Sequence, residues 1–133
     1  MHYNDPKYIT KERDMAMILL VEDDGLLRGC LRKILELGAF QVEEASSVEE
    51  AIQIMSKTKV DLIVTDYLLS TKQNGLSLIS YLSTLQRRPP IILMSGSDDC
   101  RLGSVSRELG AQTFLAKPFA LNTFLAVCCQ ALI

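Results

Sequence analysis

The stretch MILLVEDDGLLRGCLRKILELG, residues 17–38, holds one complete unit of the pattern that decides the fold. Met17 to Val21 is apolar without a break, as a strand buried on both faces should be. It runs into three consecutive acids, Glu22, Asp23 and Asp24. Leu27, Cys30, Leu31, Ile34 and Leu35 then recur at helical spacing on one stripe, and Gly38 stands where a left-handed terminator is expected. A strand that needs cover on both sides, followed at once by an amphipathic helix, is the elementary unit of a parallel α/β sheet.

Working outward, the same unit recurs. Leu62 to Val64 and Ile91 to Met94 are further unbroken apolar runs, read as strands three and four. Phe40 to Glu44 alternates apolar and polar residues and Thr113 to Ala116 is short, so these two are read as the edge strands, two and five. Ser47 and Glu50 have the spacing of a capping box ahead of Val48, Ala51, Ile52 and Met55 on one helical face. A third helix is predicted over 76–85, carrying Leu78, Ile79, Leu82 and Leu85 and ended by the Arg87-Arg88-Pro89-Pro90 segment. A fourth is predicted over 99–109, closed by Gly110, with Asp98 and Asp99 read as its cap, and a fifth, unusually apolar, over 120–133. Parallel crossovers are short and right-handed, so the simplest solution is a doubly wound five-stranded parallel sheet of the flavodoxin-like (βα)5 type, strand order 2-1-3-4-5. Such sheets bind ligands at the carboxyl ends of the central strands.

Composition limits the partners. A chain of 133 residues is one ordinary domain, here read as a polar arm over 1–15, which includes His2, and a folded domain over 16–133. The net charge of −2, with both signs scattered, offers no basic field for nucleic-acid phosphates, so no direct nucleic-acid partner is expected. Cys30, Cys100, Cys128 and Cys129 form no CxxC pair and are read as reduced, small hydrophobes of a cytoplasmic protein. No apolar run approaches the roughly 18 residues of a membrane span, so no membrane partner is expected.

In the predicted fold, strand one delivers Glu22, Asp23 and Asp24, strand three Asp66, strand four Ser95 and strand five Lys117 to one crevice. Like charges brought to 4 Å at an effective dielectric of about 20 cost roughly 4 kcal/mol per pair, so a cation must offset them. Lys117 is one candidate and a divalent metal the other. Hard oxygen ligands on a shallow site suit Mg²⁺, which takes one or two carboxylates and keeps several waters.

The segments ILLVEDD, DLIVTDYLL, ILMSGS and LGAQTFLAKPF, in this order, resemble the signature segments of the response regulator receiver domain, the phosphoacceptor module of two-component signalling. The resemblance covers nearly all of 16–133. It implies that Asp66 accepts a phosphoryl group from the phosphohistidine of a sensor histidine kinase or histidine phosphotransfer protein. It also implies that Glu22, Asp23, Asp66 and the Leu68 backbone carbonyl hold Mg²⁺, that Lys117 and Ser95 contact the phosphoryl group, and that Ser95 and the aromatic Phe114 form the switch. Such a domain assists its own phosphotransfer and dephosphorylation but is a signalling module, not an enzyme in its own right. No output domain is recognised in these residues, and the fifth helix has more apolar residues than one buried stripe requires. Output is therefore expected through homodimerisation or capture of a downstream protein on the face of helix four, strand five and helix five.

Three positions depart from the family pattern: Ser70 replaces the usual proline, Gly75 falls about one residue late, and Gly96 replaces the usual alanine. The loop after Asp66 is thus longer and less restrained. The alternative readings are a degenerate receiver used as a phosphorylation-independent scaffold, against which the intact acid, serine and lysine set argues, and a phosphatase of the haloacid dehalogenase type. The latter requires an acid two residues after its nucleophile, where this chain has Leu68. No nucleotide-binding glycine loop is present. Leu68 and Ser97 occupy the two positions that flank the attacking water in the family, one apolar and one small, so dephosphorylation is expected to be slow. Leu68→Asn should accelerate phosphate release in a Mg²⁺ time course, and an unchanged rate would refute the assignment.

Overall fold

A computed structural model describes residues 15–67, 69, 75–96, 107 and 110–133. Along these the elements are β1 (Met17–Val21), α1 (Gly25–Leu37), β2 (Gln41–Ala45), α2 (Val48–Met55), β3 (Leu62–Asp66), α3 (Gly75–Leu82), β4 (Ile91–Ser95), β5 (Thr113–Ala116) and α4 (Leu121–Ala131). The predicted fourth helix and the polar arm lie almost wholly outside the described residues, so α4 is the fifth helix of the sequence reading. The five strands form one parallel sheet in the order β2-β1-β3-β4-β5, as the pattern of runs required.

Alternation along the strands divides the interior into two layers. Ile18, Leu20, Leu62, Val64, Ile92 and Met94 point to one face, where α1 supplies Leu31 and Leu35 and α4 supplies Phe124 and Cys128. Leu19, Val21, Ile63 and Leu93 point to the other, against Val48 and Ala51 of α2 and Leu78, Ile79 and Leu82 of α3. Full burial of one such aliphatic side chain stabilises the fold by about 1.5–3 kcal/mol, and covering both faces explains why the central strands, Thr65 apart, are apolar up to their last residues. Among the described residues no helix is long and apolar enough to cross a membrane.

Several local expectations are corrected. Gly38 is not the left-handed residue: it has φ −81°, and Ala39 has φ +67°. The Phe40 N–H donates to the Leu35 carbonyl and the Ala39 N–H to that of Glu36, the paired bonds of a Schellman cap. Phe40 thus closes α1, and β2 begins one residue later than predicted. Glycine at 38 has another reason, since a Cβ there would stand 2.7 Å from Cδ1 of Leu125 on α4. The two helices meet at that point.

The α2 capping box is half formed. Ser47 Oγ accepts from the Glu50 N–H, but the Glu50 carboxylate accepts from Ser46 Oγ instead of reaching back to the backbone. Helix α3 ends at Leu82, where Ser83 and Thr84 turn their hydroxyls back to the carbonyls of Ser80 and Tyr81, well before the prolines. Leu85 therefore falls past the helix and is 37 % exposed. Cys30 and Cys129 are exposed, and Cys128 alone of the described cysteines is a core residue, its thiol pushed up to about 12 by burial. On α4, Phe124, Cys128 and Ala131 are buried while Leu121 is 51 % exposed, which bears out the expectation that not all its apolar residues could face the sheet.

Gly110 precedes β5 with φ +113°, a region that side-chain-bearing residues rarely enter, and a Cβ there would meet the Arg88 guanidinium at 2.7 Å. Gly110→Ala should destabilise the domain by about 1–3 kcal/mol, read as a lower midpoint in chemical or thermal unfolding.

Candidate functional site

The parallel register fixes which strand ends become neighbours. Val21 is opposite Thr65 and Asp66 opposite Met94, so Glu22, one residue beyond β1, comes level with Asp66 at the end of β3. Ser95 is opposite Ala116, and the Lys117 N–H donates to the Ser95 carbonyl at 2.7 Å, which brings the start of the β5–α4 loop to the end of β4. Four segments distant in sequence thereby open on one edge of the sheet.

Carboxylate oxygens of Glu22, Asp23 and Asp66 lie within 4.8 Å of one another, with Asp23 the most accessible of the three. Lys117 Nζ reaches into the group, 2.8 Å from Glu22 Oε1 and 3.2 Å from Asp66 Oδ1. Glu22 is only 1 % exposed, and the Asp24 N–H donates to its second carboxylate oxygen at 3.2 Å. Asp66 and Ser95 are buried as well, and Thr65 Oγ1 donates to the Asp66 carbonyl.

Burial raises the Glu22 carboxyl above its usual range; the hydrogen bond from Lys117 opposes the rise, and the charge of Asp66 adds to it. Burial likewise raises Asp66, with Lys117 opposing and Asp23 reinforcing. Burial alone would lower Lys117, but its hydrogen bond to Glu22 and the charges of Asp66 and Glu22 carry it above the ordinary lysine value. The ammonium therefore stays charged, and the carboxylates remain short of positive charge.

The sequence-predicted residues Glu22, Asp23, Asp66 and Lys117 are brought together, and Ser95 ends the adjoining strand. Phe114 sits opposite Leu93 in the register, half-buried against the face that α2 and α3 cover. Leu68 and Ser97 lie outside the described residues. Asp24 leaves the cluster and caps α1, its Oδ1 accepting from the N–H groups of Leu26 and Leu27. Its place just before a helix was the signal for that role. Sequence reasoning passed over Arg28, whose Nη1 donates to the Glu22 carbonyl at 2.6 Å, because its partner is a backbone atom with no sequence signature.

The family model for the response regulator receiver domain matches residues 18–128. This chain belongs to that family. The receiver is 33 % identical over 120 residues to the regulatory protein VirG of Agrobacterium tumefaciens, covering 87 % of this chain and 43 % of VirG. It is 30 % identical over 109 residues to the response regulator MprA of Mycolicibacterium vanbaalenii, covering 82 % and 47 %. It thus spans less than half the length of these curated relatives. Among solved structures, the signal receiver domain of a signal transduction histidine kinase from Syntrophus aciditrophicus superposes with a TM-score of 0.80 at 30 % identity, covering 88 % of this chain and 89 % of that one. A CheY-like receiver domain protein from Methanospirillum hungatei shares the fold with a TM-score of 0.82 at 23 % identity, covering 89 % and 94 %.

The raised carboxyls of the receiver set a pH dependence. Folded-state Glu22 and Asp66 bind protons more tightly than the unfolded chain, so their contribution to stability is complete below the ordinary carboxylate values of 4.5 and 3.8 and is lost as pH rises through the raised ones. Asp66→Asn should accordingly melt at a higher temperature than wild type at pH 7, and the difference should shrink as the pH falls through the carboxylate range. Thermal melts of both proteins across that range check this.

Proposed function

We propose that this receiver accepts a phosphoryl group on Asp66 from a phosphohistidine of a histidine kinase or histidine phosphotransfer protein, with Mg²⁺ bound, in the cytoplasm. The observation that carries this reading is the position of Lys117 Nζ, 2.8 Å from Glu22 and 3.2 Å from Asp66, inside a set of three carboxylates. In the reaction an Asp66 carboxylate oxygen forms a bond to phosphorus as the bond from phosphorus to the histidine nitrogen breaks, and the imidazole leaves with the electron pair. The all-oxygen donor set, in excess over the single lysine, fits a hard divalent cation. Glu22, Asp23 and Asp66 are the residues to hold it, together with the Leu68 carbonyl, which lies outside the described residues. A bound Mg²⁺ supplies positive charge to the phosphoryl oxygens.

Each side chain then has a distinct part. Lys117 keeps its charge because two carboxylates hold it, so it can move from Asp66 to a phosphoryl oxygen without gaining or losing a proton. Ser95, at the end of the neighbouring strand, donates its hydroxyl to the acyl phosphate, and the consequent movement of the β4 loop gives Phe114 room to turn inward. An apolar groove of about 290 Å³ opens beside Lys117, between Leu27 and Leu31 of α1 and Pro118, Phe119 and Leu121, where a phosphohistidine-bearing helix could dock. Output passes through the face of the fourth predicted helix, β5 and α4, to a downstream protein or a second copy.

Incubation with a small-molecule phosphodonor and Mg²⁺, followed by intact mass, tests the reading. Wild type should gain one phosphoryl group and Asp66→Asn none, and Lys117→Ala should be labelled at least tenfold more slowly, as expected for loss of a charge aimed at the transferring group. Labelling that persists in Asp66→Asn defeats the site assignment, and no labelling of wild type favours the phosphorylation-independent scaffold. Sedimentation of the same samples reads the output, since a monomer in both states excludes phosphorylation-driven dimerisation.

A further inference from the structure

The turn that carries both acids of the Glu22–Asp23 pair is held from outside the cluster. The Glu22 N–H donates to the Ala45 carbonyl of β2 at 3.0 Å, and the Glu22 carbonyl accepts from Arg28 Nη1 at 2.6 Å. That carbonyl belongs to the peptide joining Glu22 to Asp23, so the guanidinium fixes the plane from which both carboxylates depart. Arg28 is in turn oriented by Glu44 on β2: Nε stands 3.1 Å from Glu44 Oε1, while the other carboxylate oxygen is taken by Arg32 Nη1 at 2.5 Å. Hydrogen bonds from Arg32 and then Arg28 hold the Glu44 carboxyl below its usual value despite some burial, so the support stays charged at neutral pH.

We infer that Arg28, oriented by Glu44, is a positioning residue for divalent-cation binding by Glu22 and Asp23. The inference rests on the proposed metal-binding role of those two acids. Two effects of Arg28 oppose one another. Its positive charge near the carboxylates disfavours a cation, whereas its fork holds their common peptide ready for one. The fork is what matters if positioning dominates, because lysine, a point charge on a flexible stem, cannot serve Glu44 and the Glu22 carbonyl with the same geometry. Partners of this kind typically change metal affinity by roughly 10–100-fold when removed.

Calorimetric titration of the unphosphorylated protein with Mg²⁺ alone separates the two effects, with thermal melting of every variant alongside. Arg28→Lys, which keeps the charge, and Arg28→Ala, which removes it, should both weaken Mg²⁺ binding by roughly tenfold or more. Arg32→Ala, which cuts Glu44 from α1 on its other side but leaves the Arg28 fork, should stay close to wild type. Unchanged or tighter binding in Arg28→Ala overturns the inference, as does a loss in all three variants that follows their loss of melting temperature. A wild type that does not bind Mg²⁺ overturns it too, but by removing the metal-binding reading beneath it, which is distinct from a failure confined to the variants.

Discussion

Lys117 reaching Glu22 and Asp66 at the carboxyl edge of the sheet is the interaction on which the rest of the site depends. Two carboxylates almost removed from water pay a desolvation penalty that a single ammonium offsets only in part, and burial is the leading cause of the upward shift in both. A site left short of positive charge is poised to take more of it. On the proposed reading that imbalance suits a phosphoryl group arriving with a cation, and the lysine, held in its charged form, is the counter-ion available to it.

Geometry of this kind needs rigid supports, and the parallel sheet supplies them. Level registers between β1, β3, β4 and β5 bring four strand ends to one edge, and two apolar layers lock those strands in place. The side chains that carry charge therefore stand at the ends of elements whose interiors have no freedom to adjust. Around them a second tier of polar contacts works on the backbone: Asp24 caps α1, Arg28 holds the Glu22 carbonyl, and Thr65 holds that of Asp66. These side-chain contacts act on backbone groups and leave the carboxylate oxygens of Glu22, Asp23 and Asp66 to the site.

The alternation of apolar runs and amphipathic stretches was enough to read the strand order, because burial on both faces keeps β1, β3 and β4 apolar but for Thr65 until the strand ends. Asp66, Glu22, Asp23, Ser95 and Lys117 were legible for the same reason, each standing within two residues of the end of an apolar run or, for Lys117, just past a short strand. Helix ends were less legible. At Gly38 a close approach by Leu125 of α4, a contact between segments far apart in sequence, accounts for the glycine, while the left-handed position fell to Ala39. Leu85 carried the helical period one turn beyond the place where Ser83 and Thr84 capture the last carbonyls.

By itself, then, the order of residues determined the sheet, its two covered faces and the edge at which chemistry-bearing groups must emerge, since hydrophobic period and strand length are local properties of the chain. Tertiary structure alone decided how those groups share charge. Lys117 holds both Glu22 and Asp66, and Arg28, steered by Glu44 of β2, grips the peptide between the acids, because these outcomes depend on contacts between segments 16 to 95 residues apart that no local pattern records.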